Sequence, residues 1–132
     1  MSDLVSFLAQ HPVSEMHQEV SIGGRLAEYK FKIQPMTQSQ FYKYQQLCTI
    51  LNKDKTVKFN SGRFNELVIL NHVISPDFRN TTTLASAGVN TPEEFINKFF
   101  LAGELVQLSD KISEASGFNQ TDQELEDEVK NF

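Results

Sequence analysis

Residues 91–118, TPEEFINKFFLAGELVQLSDKISEASGF, constrain the fold more than any other stretch, because both ends carry helix-capping signals. Thr91 is a residue type favoured at the N-cap, and Pro92 then occupies the first helical position, where its missing N–H costs nothing. Glu94, three residues after Thr91, completes the pattern of a capping box. The sequence therefore predicts a helical segment that begins at Thr91 and needs a surface to lie on.

The apolar pattern within this segment changes phase partway along. Residues 95–100 contribute one apolar stripe, and a second stripe that begins at Leu101 is out of phase with it. The change falls just before Gly103, and glycine is less favourable than alanine in a helix by about 1 kcal/mol. We expect a kink there, or two helices in sequence. At the far end, residues 116–118 fit a glycine C-cap, with Phe118 folding back on Ile112.

Residues 2–10 read as a short amphipathic helix capped by Ser2. Its apolar side carries Leu4, Val5 and Leu8, and Pro12 follows shortly after. Proline disfavours helix at the residue before it, so this helix ends near residue 10. A helix this short is not stable alone in water, and we expect it to dock on the body or on a partner.

The clearest strand signal lies between residues 20 and 33. Tyr29, Phe31 and Ile33 alternate with charged residues, which is the period-two pattern of a half-buried strand. Gly23 and Gly24 lie between this run and an earlier apolar one, which favours a tight hairpin with positive φ. The sequence predicts an antiparallel hairpin that covers helices with one face and exposes the other.

Two further helices are predicted. One covers residues 37–52 and begins with a capping box, and the other covers residues 61–75 and is stopped by Pro76. A helical turn is predicted at residues 81–87. Residues 56–59 are either a very short strand or an extended linker. The predicted fold class is therefore α+β: a mainly helical single domain over residues 1–118 with one N-terminal antiparallel β-hairpin.

Charge separates the C-terminal residues from this domain. The chain carries a net charge of −5, and residues 119–132 contain five acids and one lysine, so that they hold −4 of it. We predict a mobile acidic tail at 119–132. A nearly neutral body argues against binding of nucleic acid or of an anionic membrane, both of which require clustered Lys and Arg.

The sequence also bounds where the protein resides. No signal peptide is recognisable at the N-terminus, and no apolar run approaches the roughly 20 residues that span a bilayer. Cys48 is the single cysteine, which suits a reducing compartment. We expect a soluble, cytoplasmic protein.

The chain contains no recognisable catalytic or metal-binding pattern. The three histidines, His11, His17 and His72, have no ligand spacing, and no Gly-x-Ser-x-Gly occurs. Cys48 lies on the apolar side of its predicted helix, which favours a buried structural thiol. We therefore expect no enzyme activity, no cofactor and no metal.

Two apolar groups exceed what a small core needs. The first is residues 99–101, where the long segment is apolar nearly all round; such a cluster is compatible with either a core or an interface. The second is the set of apolar residues in the acidic tail that recur at helical spacing. The predicted partner-binding residues are Phe99, Phe100, Leu101, Leu125, Val129 and Phe132.

Several short motifs resemble one known family. They are SPDFRN at 75–80, GVNTPEE at 88–94, LAGEL at 101–105, LSDKI at 108–112 and SGF at 116–118. With the strand before them, they make residues 26–118 resemble the XkdN-like tail assembly chaperones of tailed bacteriophages and defective prophages.

The resemblance implies a non-catalytic function. Such chaperones keep the long tape-measure protein soluble and help tail-tube subunits to polymerise around it. They act in the bacterial cytosol and are absent from the mature virion. An alternative from the residues alone is a small regulatory or adaptor protein that binds another protein through the hairpin edge.

Overall fold

A computed structural model of the protein describes residues 2–118. The predicted tail at 119–132 lies outside this range. The described part contains helices α1 (Ser2–Gln10), α2 (Gln38–Cys48), α3 (Ser61–His72), α4 (Thr81–Ala87), α5 (Pro92–Phe99) and α6 (Ala102–Ala115). Its strands are β1 (Gln18–Val20), β2 (Phe31–Ile33), β3 (Thr49–Leu51), β4 (Val57–Phe59) and β5 (Val73–Ser75). The mainly helical α+β architecture is as predicted.

The predicted N-terminal hairpin is present, but its connection differs. β1 and β2 pair antiparallel with Val20 opposite Phe31, and Phe31 and Ile33 are buried while Lys32 is exposed. The prediction of a tight glycine turn is wrong, because residues 21–30 form a longer connection that includes a 3₁₀ turn at Gly24–Leu26.

Two predicted helices are too long at their C-terminal ends. α2 ends at Cys48 and α3 ends at His72, and each continues directly into a strand. Each of these strands contains β-branched residues, which favour extended structure, and the second also precedes Pro76, which disfavours helix at the residue before it. β5 adds a third strand beside β2, and β3 pairs with β4, which confirms the strand interpretation of residues 56–59.

The core is one cluster of buried side chains from the three-stranded sheet and from α2, α3, α5 and α6. α3 packs against α2, α5 and α6. The largest fully buried apolar side chains come from β2, α3, α5 and α6: Phe31, Ile33, Ile69, Ile96, Leu108 and Ile112.

The core contains a hydrogen-bonded histidine, His72, and a thiol, Cys48. The Nδ1 atom of His72 lies 3.1 Å from the carbonyl oxygen of Gln34, and its Nε2 lies 2.8 Å from the hydroxyl of Tyr44. Since a carbonyl only accepts, Nδ1 carries the proton and Nε2 accepts from Tyr44. Burial lowers the pKa of His72, so the neutral ring is the folded form. Cys48 is buried, as predicted, and burial raises the pKa of its thiol.

The helix α1 contributes little to this body. Leu4, Val5 and Leu8 are 52%, 64% and 55% exposed, so the predicted docking of these residues on the body is wrong. Docking of α1 on a partner stays a prediction. Across residues 2–118, every helix is too short or too polar to cross a bilayer.

Candidate partner-binding groove

The long segment at 91–118 forms two helices, as the phase change predicted. α5 ends at Phe99 and α6 begins at Ala102, so the break lies at Phe100 and Leu101, just before Gly103. Leu101 has extended backbone angles, and its N–H donates to the Glu104 carboxylate at 2.7 Å. This hydrogen bond satisfies a backbone donor at the start of α6.

The caps at the two ends of the segment are also present. The Thr91 hydroxyl accepts from the N–H of Glu94 at 3.1 Å, as predicted. The Glu94 carboxylate accepts from the N–H of Asn90 and not from that of Thr91, so the predicted capping box is not closed. At the C-terminal end Gly117 has φ +102°, and the N–H of Phe118 donates to the carbonyl of Ser113. This is the Schellman arrangement, in which a left-handed residue ends the helix.

A buried ion pair fixes the break between α5 and α6. The Arg25 guanidinium donates to both oxygens of the Glu104 carboxylate at 2.8 Å, and also to the carbonyl of Phe99 at 2.6 Å. The Glu104 side chain is only 4% exposed, whereas Arg25 reaches it from the half-exposed 3₁₀ turn. Arg25 therefore ties the connection between β1 and β2 to the end of α5 and the start of α6.

The charges of this pair stabilise each other. The hydrogen bonds from Arg25 lower the pKa of Glu104, and the hydrogen bond to Glu104 raises the pKa of Arg25. Both groups are thus ionised at neutral pH. A bidentate arginine–carboxylate pair has a fixed geometry, which suits a positioning role.

An apolar groove of about 860 Å³ lies beside this ion pair. It runs between α4, α5 and the connection that precedes β2. Aromatic rings dominate its lining, with smaller side chains of α4 along the opposite wall. The aromatic lining residues are Tyr29, Phe31, Phe78, Phe95, Phe99 and Phe100.

The rings of the groove support one another. Phe78, which is buried, lies 5.8 Å from Phe100 and 5.9 Å from Phe95 between ring centroids. Phe95 in turn lies 5.1 Å from Phe99. These are the tilted and edge-to-face separations that aromatic pairs favour. The rings therefore form a connected aromatic wall, with Phe99 exposed at its α5 end and Tyr29 exposed at its other end.

The predicted partner-binding residues that the structure describes differ in their exposure and in whether they line the groove. Phe99 is 42% exposed and lines the groove. Phe100 also lines it but is half-buried and packs against the core. Leu101 is 61% exposed and lies outside the groove lining. The other three predicted residues, Leu125, Val129 and Phe132, lie outside the described part of the chain.

Several lining and supporting residues were not predicted. Tyr29 was interpreted only as a strand residue, and Phe78 only as part of a motif. Arg25 and Glu104 lie far apart in the sequence and meet only in the fold. The available signal was Glu104 itself, an acid within the otherwise apolar and small LAGEL motif.

The groove is suited to binding apolar side chains. The charge of Arg25 is paired with Glu104, and the Asp77 carboxylate accepts from the N–H of Arg79 at 3.0 Å. The remaining polar lining is hydroxyl and amide groups of α4 and its N-terminal end, where Asn80 caps the helix. The groove thus offers aromatic faces with a polar rim that includes the Asp77 carboxylate, an apolar centre and polar border like those of protein-binding surfaces.

Comparisons with known proteins bear separately on the fold and on the family. The crystal structure of the protein YqbN, a structural genomics target, superposes with a TM-score of 0.55 at 18% identity, covering 77% of this chain and 85% of that one. At that identity the likeness concerns the fold alone. The comparison with curated protein sequences finds no match.

The family profile for phage XkdN-like tail assembly chaperone proteins matches residues 4–130, beyond the 26–118 that the motifs covered. Because this match spans nearly the whole sequence, the chain belongs to the phage XkdN-like tail assembly chaperone family.

Proposed function

We propose that this phage tail assembly chaperone acts without catalysis, by binding an apolar stretch of the tape-measure protein in the groove. The observation that carries the proposal is the aromatic wall, which ends in the exposed ring of Phe99. A contiguous exposed apolar surface that lines a groove is typical of a protein-binding site.

The size of the groove limits what it holds. Its volume of about 860 Å³ falls in the range of sites that hold a few large side chains, and it is too small for a whole helix. An amphipathic helix places such side chains at i, i+3 or i+4 and i+7 along one face. The proposed occupant is therefore one apolar face of a tape-measure helix, with the rest of that helix left in water.

A contact of this size suits reversible binding. The chaperone shields apolar stripes until tail-tube subunits assemble around the tape-measure protein, and then it leaves. We propose that this occurs in the cytosol of the bacterial host and that the chaperone is absent from the mature virion. The exposed Leu101 and the tail residues Leu125, Val129 and Phe132 are proposed as additional contacts.

Co-expression tests the partner and the groove separately. The wild-type chain is expected to keep the co-expressed tape-measure protein soluble and to co-purify with it. The Phe99→Ser variant is expected to lose most of this effect, because a serine removes the exposed α5 end of the aromatic wall. Phe132→Ser tests the tail contact in the same assay.

Val106→Ser is the matched control for Phe99→Ser. Val106 is 48% exposed on α6 but does not line the groove. Circular dichroism establishes that each variant is folded. A folded Phe99→Ser chain that co-purifies as well as Val106→Ser contradicts the groove assignment, and an insoluble partner with the wild-type chain contradicts the choice of partner.

A further inference from the structure

A second apolar surface lies on the β3–β4 hairpin, away from the groove. The register places Thr49 opposite Phe59 and Leu51 opposite Val57, so these four side chains share one side of the two-stranded sheet. We call this surface the hairpin face. Leu51 and Val57 are 71% and 67% exposed, and Phe59 is 46% exposed. A shallow cavity bounded by α2 adjoins it at Thr49 and Phe59.

The hairpin also concentrates positive charge. Residues 49–59 contain Lys53, Lys55 and Lys58 against the single acid Asp54. Asp54 accepts hydrogen bonds from the backbone and hydroxyl of Thr56 within the turn. Within residues 2–118, the three lysines form no ion pairs. Lys53 and Lys55 lie in the turn at the end of the hairpin face, whereas Lys58, opposite Ile50, points to the other side of the ribbon. The hairpin face is thus an apolar surface with a basic turn at one end.

A row of aromatic rings leads from the end of the described chain to this surface. The Phe118 ring lies 5.0 Å from Phe41, Phe41 lies 5.8 Å from Phe64, and Phe64 lies 5.5 Å from Phe59. The chain therefore leaves the body beside the hairpin, only three ring contacts from Phe59.

The residues that follow have a complementary composition. Residues 119–132 carry five acids against one lysine, and Leu125, Val129 and Phe132 recur at three- and four-residue intervals. Leu125 is seven residues beyond Phe118, and seven residues span up to about 23 Å when extended. That length exceeds the distance from the Phe118 ring to the Phe59 ring along the three ring contacts. Leu125 can therefore reach the hairpin face without displacing the body.

We propose that, in the free chaperone, residues 119–132 dock on the hairpin face of their own chain. Leu125, Val129 and Phe132 cover the apolar side chains, and the acids lie beside Lys53 and Lys55 of the turn. Apolar burial supplies the attraction, and opposite charge selects this surface over the groove, whose single guanidinium is already paired. The proposal does not depend on the identity of the tail-assembly partner.

Paramagnetic relaxation in the full-length chain tests this docking. A nitroxide attached to Asn131→Cys reports on amides near the C-terminus, and Cys48 is buried, so labelling is directed to position 131. We expect strong broadening of the β3 and β4 amides and none in α4. Mixing spin-labelled chains with separately isotope-labelled ones is expected to give no broadening.

Charge reversal provides the matched control. Lys53→Glu is expected to weaken the broadening, whereas Lys32→Glu, an equal charge change on β2, is expected to leave it intact. Lys55 is left unchanged, since its φ of +69° belongs to the turn. Broadening at the groove, broadening nowhere, equal loss with both substitutions, or broadening only between different chains would each overturn the proposal.

Discussion

The groove and the hairpin face are both exposed apolar surfaces, but the fold builds them in opposite ways. The groove is concave, and its rings come from segments as distant as Tyr29 and Phe99. The hairpin face is open and comes from one local ribbon, residues 49–59, whose strands, within residues 2–118, pair only with each other.

Because of this difference, substitutions in the groove affect both binding and stability, whereas substitutions on the hairpin face leave stability largely unchanged. A groove residue such as Phe78 is also a core residue, so the shape of the groove depends on the packing of the whole domain. A hairpin residue such as Leu51 has few neighbours to support, so it can change with little effect on folding. The groove is therefore suited to a fixed shape, and the hairpin face to an exchangeable contact.

The largest effect is expected from Phe78→Ala. Loss of a buried ring with neighbours at Phe95 and Phe100 is expected to lower the free energy of unfolding by about 3–5 kcal/mol, measured by urea denaturation. The same substitution at the half-exposed Phe59 is expected to cost about 1 kcal/mol or less. Similar losses at both positions would contradict the distinction between the two surfaces.

The next effect concerns the ion pair beside the groove. Because Arg25 lowers the folded-state pKa of Glu104, this carboxylate stabilises the fold above its unfolded pKa of about 4.3. That stability is lost as the pH falls from there through the lower folded-state pKa. Glu104→Gln is expected to remove this component from the pH dependence of the unfolding free energy.

Glu114→Gln is the control for the ion pair. The Glu114 carboxylate is 55% exposed and lies 3.9 Å from Lys111, so its loss is expected to leave the acid limb of the stability curve nearly unchanged. An acid limb that is the same in wild type and Glu104→Gln would contradict the assigned role of the buried pair.

The smallest effect is expected from Leu51→Thr. This side chain is 71% exposed, and threonine retains the strand preference, so the unfolding free energy is expected to change by no more than about 0.5 kcal/mol. Thermal and urea unfolding measure the change. A loss of several kcal/mol would mean that the hairpin face supports the core, as the groove does.

Local signals predicted the parts of the fold that local physics decides. The capping box at Thr37 and Gln40, the cap at Thr91, and the left-handed ends at Gly88 and Gly117 are all present. Each depends on hydrogen bonds or backbone angles within a few residues. The change of stripe before Gly103 likewise predicted two helices, because each helix must bury its own apolar side.

The errors arose where a distant segment decided the outcome. Residues 73–75 have an apolar pattern compatible with helix, but pairing with β2 makes them a strand. Gly23 and Gly24 suggested a tight turn, but the Gly23 N–H donates to Gln107 and Arg25 binds Glu104, both across the domain. The groove is likewise decided by distant segments: of the predicted partner-binding residues, Phe99 and Phe100 line it and Leu101 does not.

The sequence by itself determined the capped helix ends, the mainly helical class, the break in the long segment and the family resemblance, because these follow from caps, periodicity and motifs read along the chain. Only the tertiary structure decided where the surplus apolar side chains meet. It joined Arg25 to Glu104 and placed Tyr29 and Phe78 beside Phe99, since contacts between residues so distant in sequence depend on the packing of the whole domain.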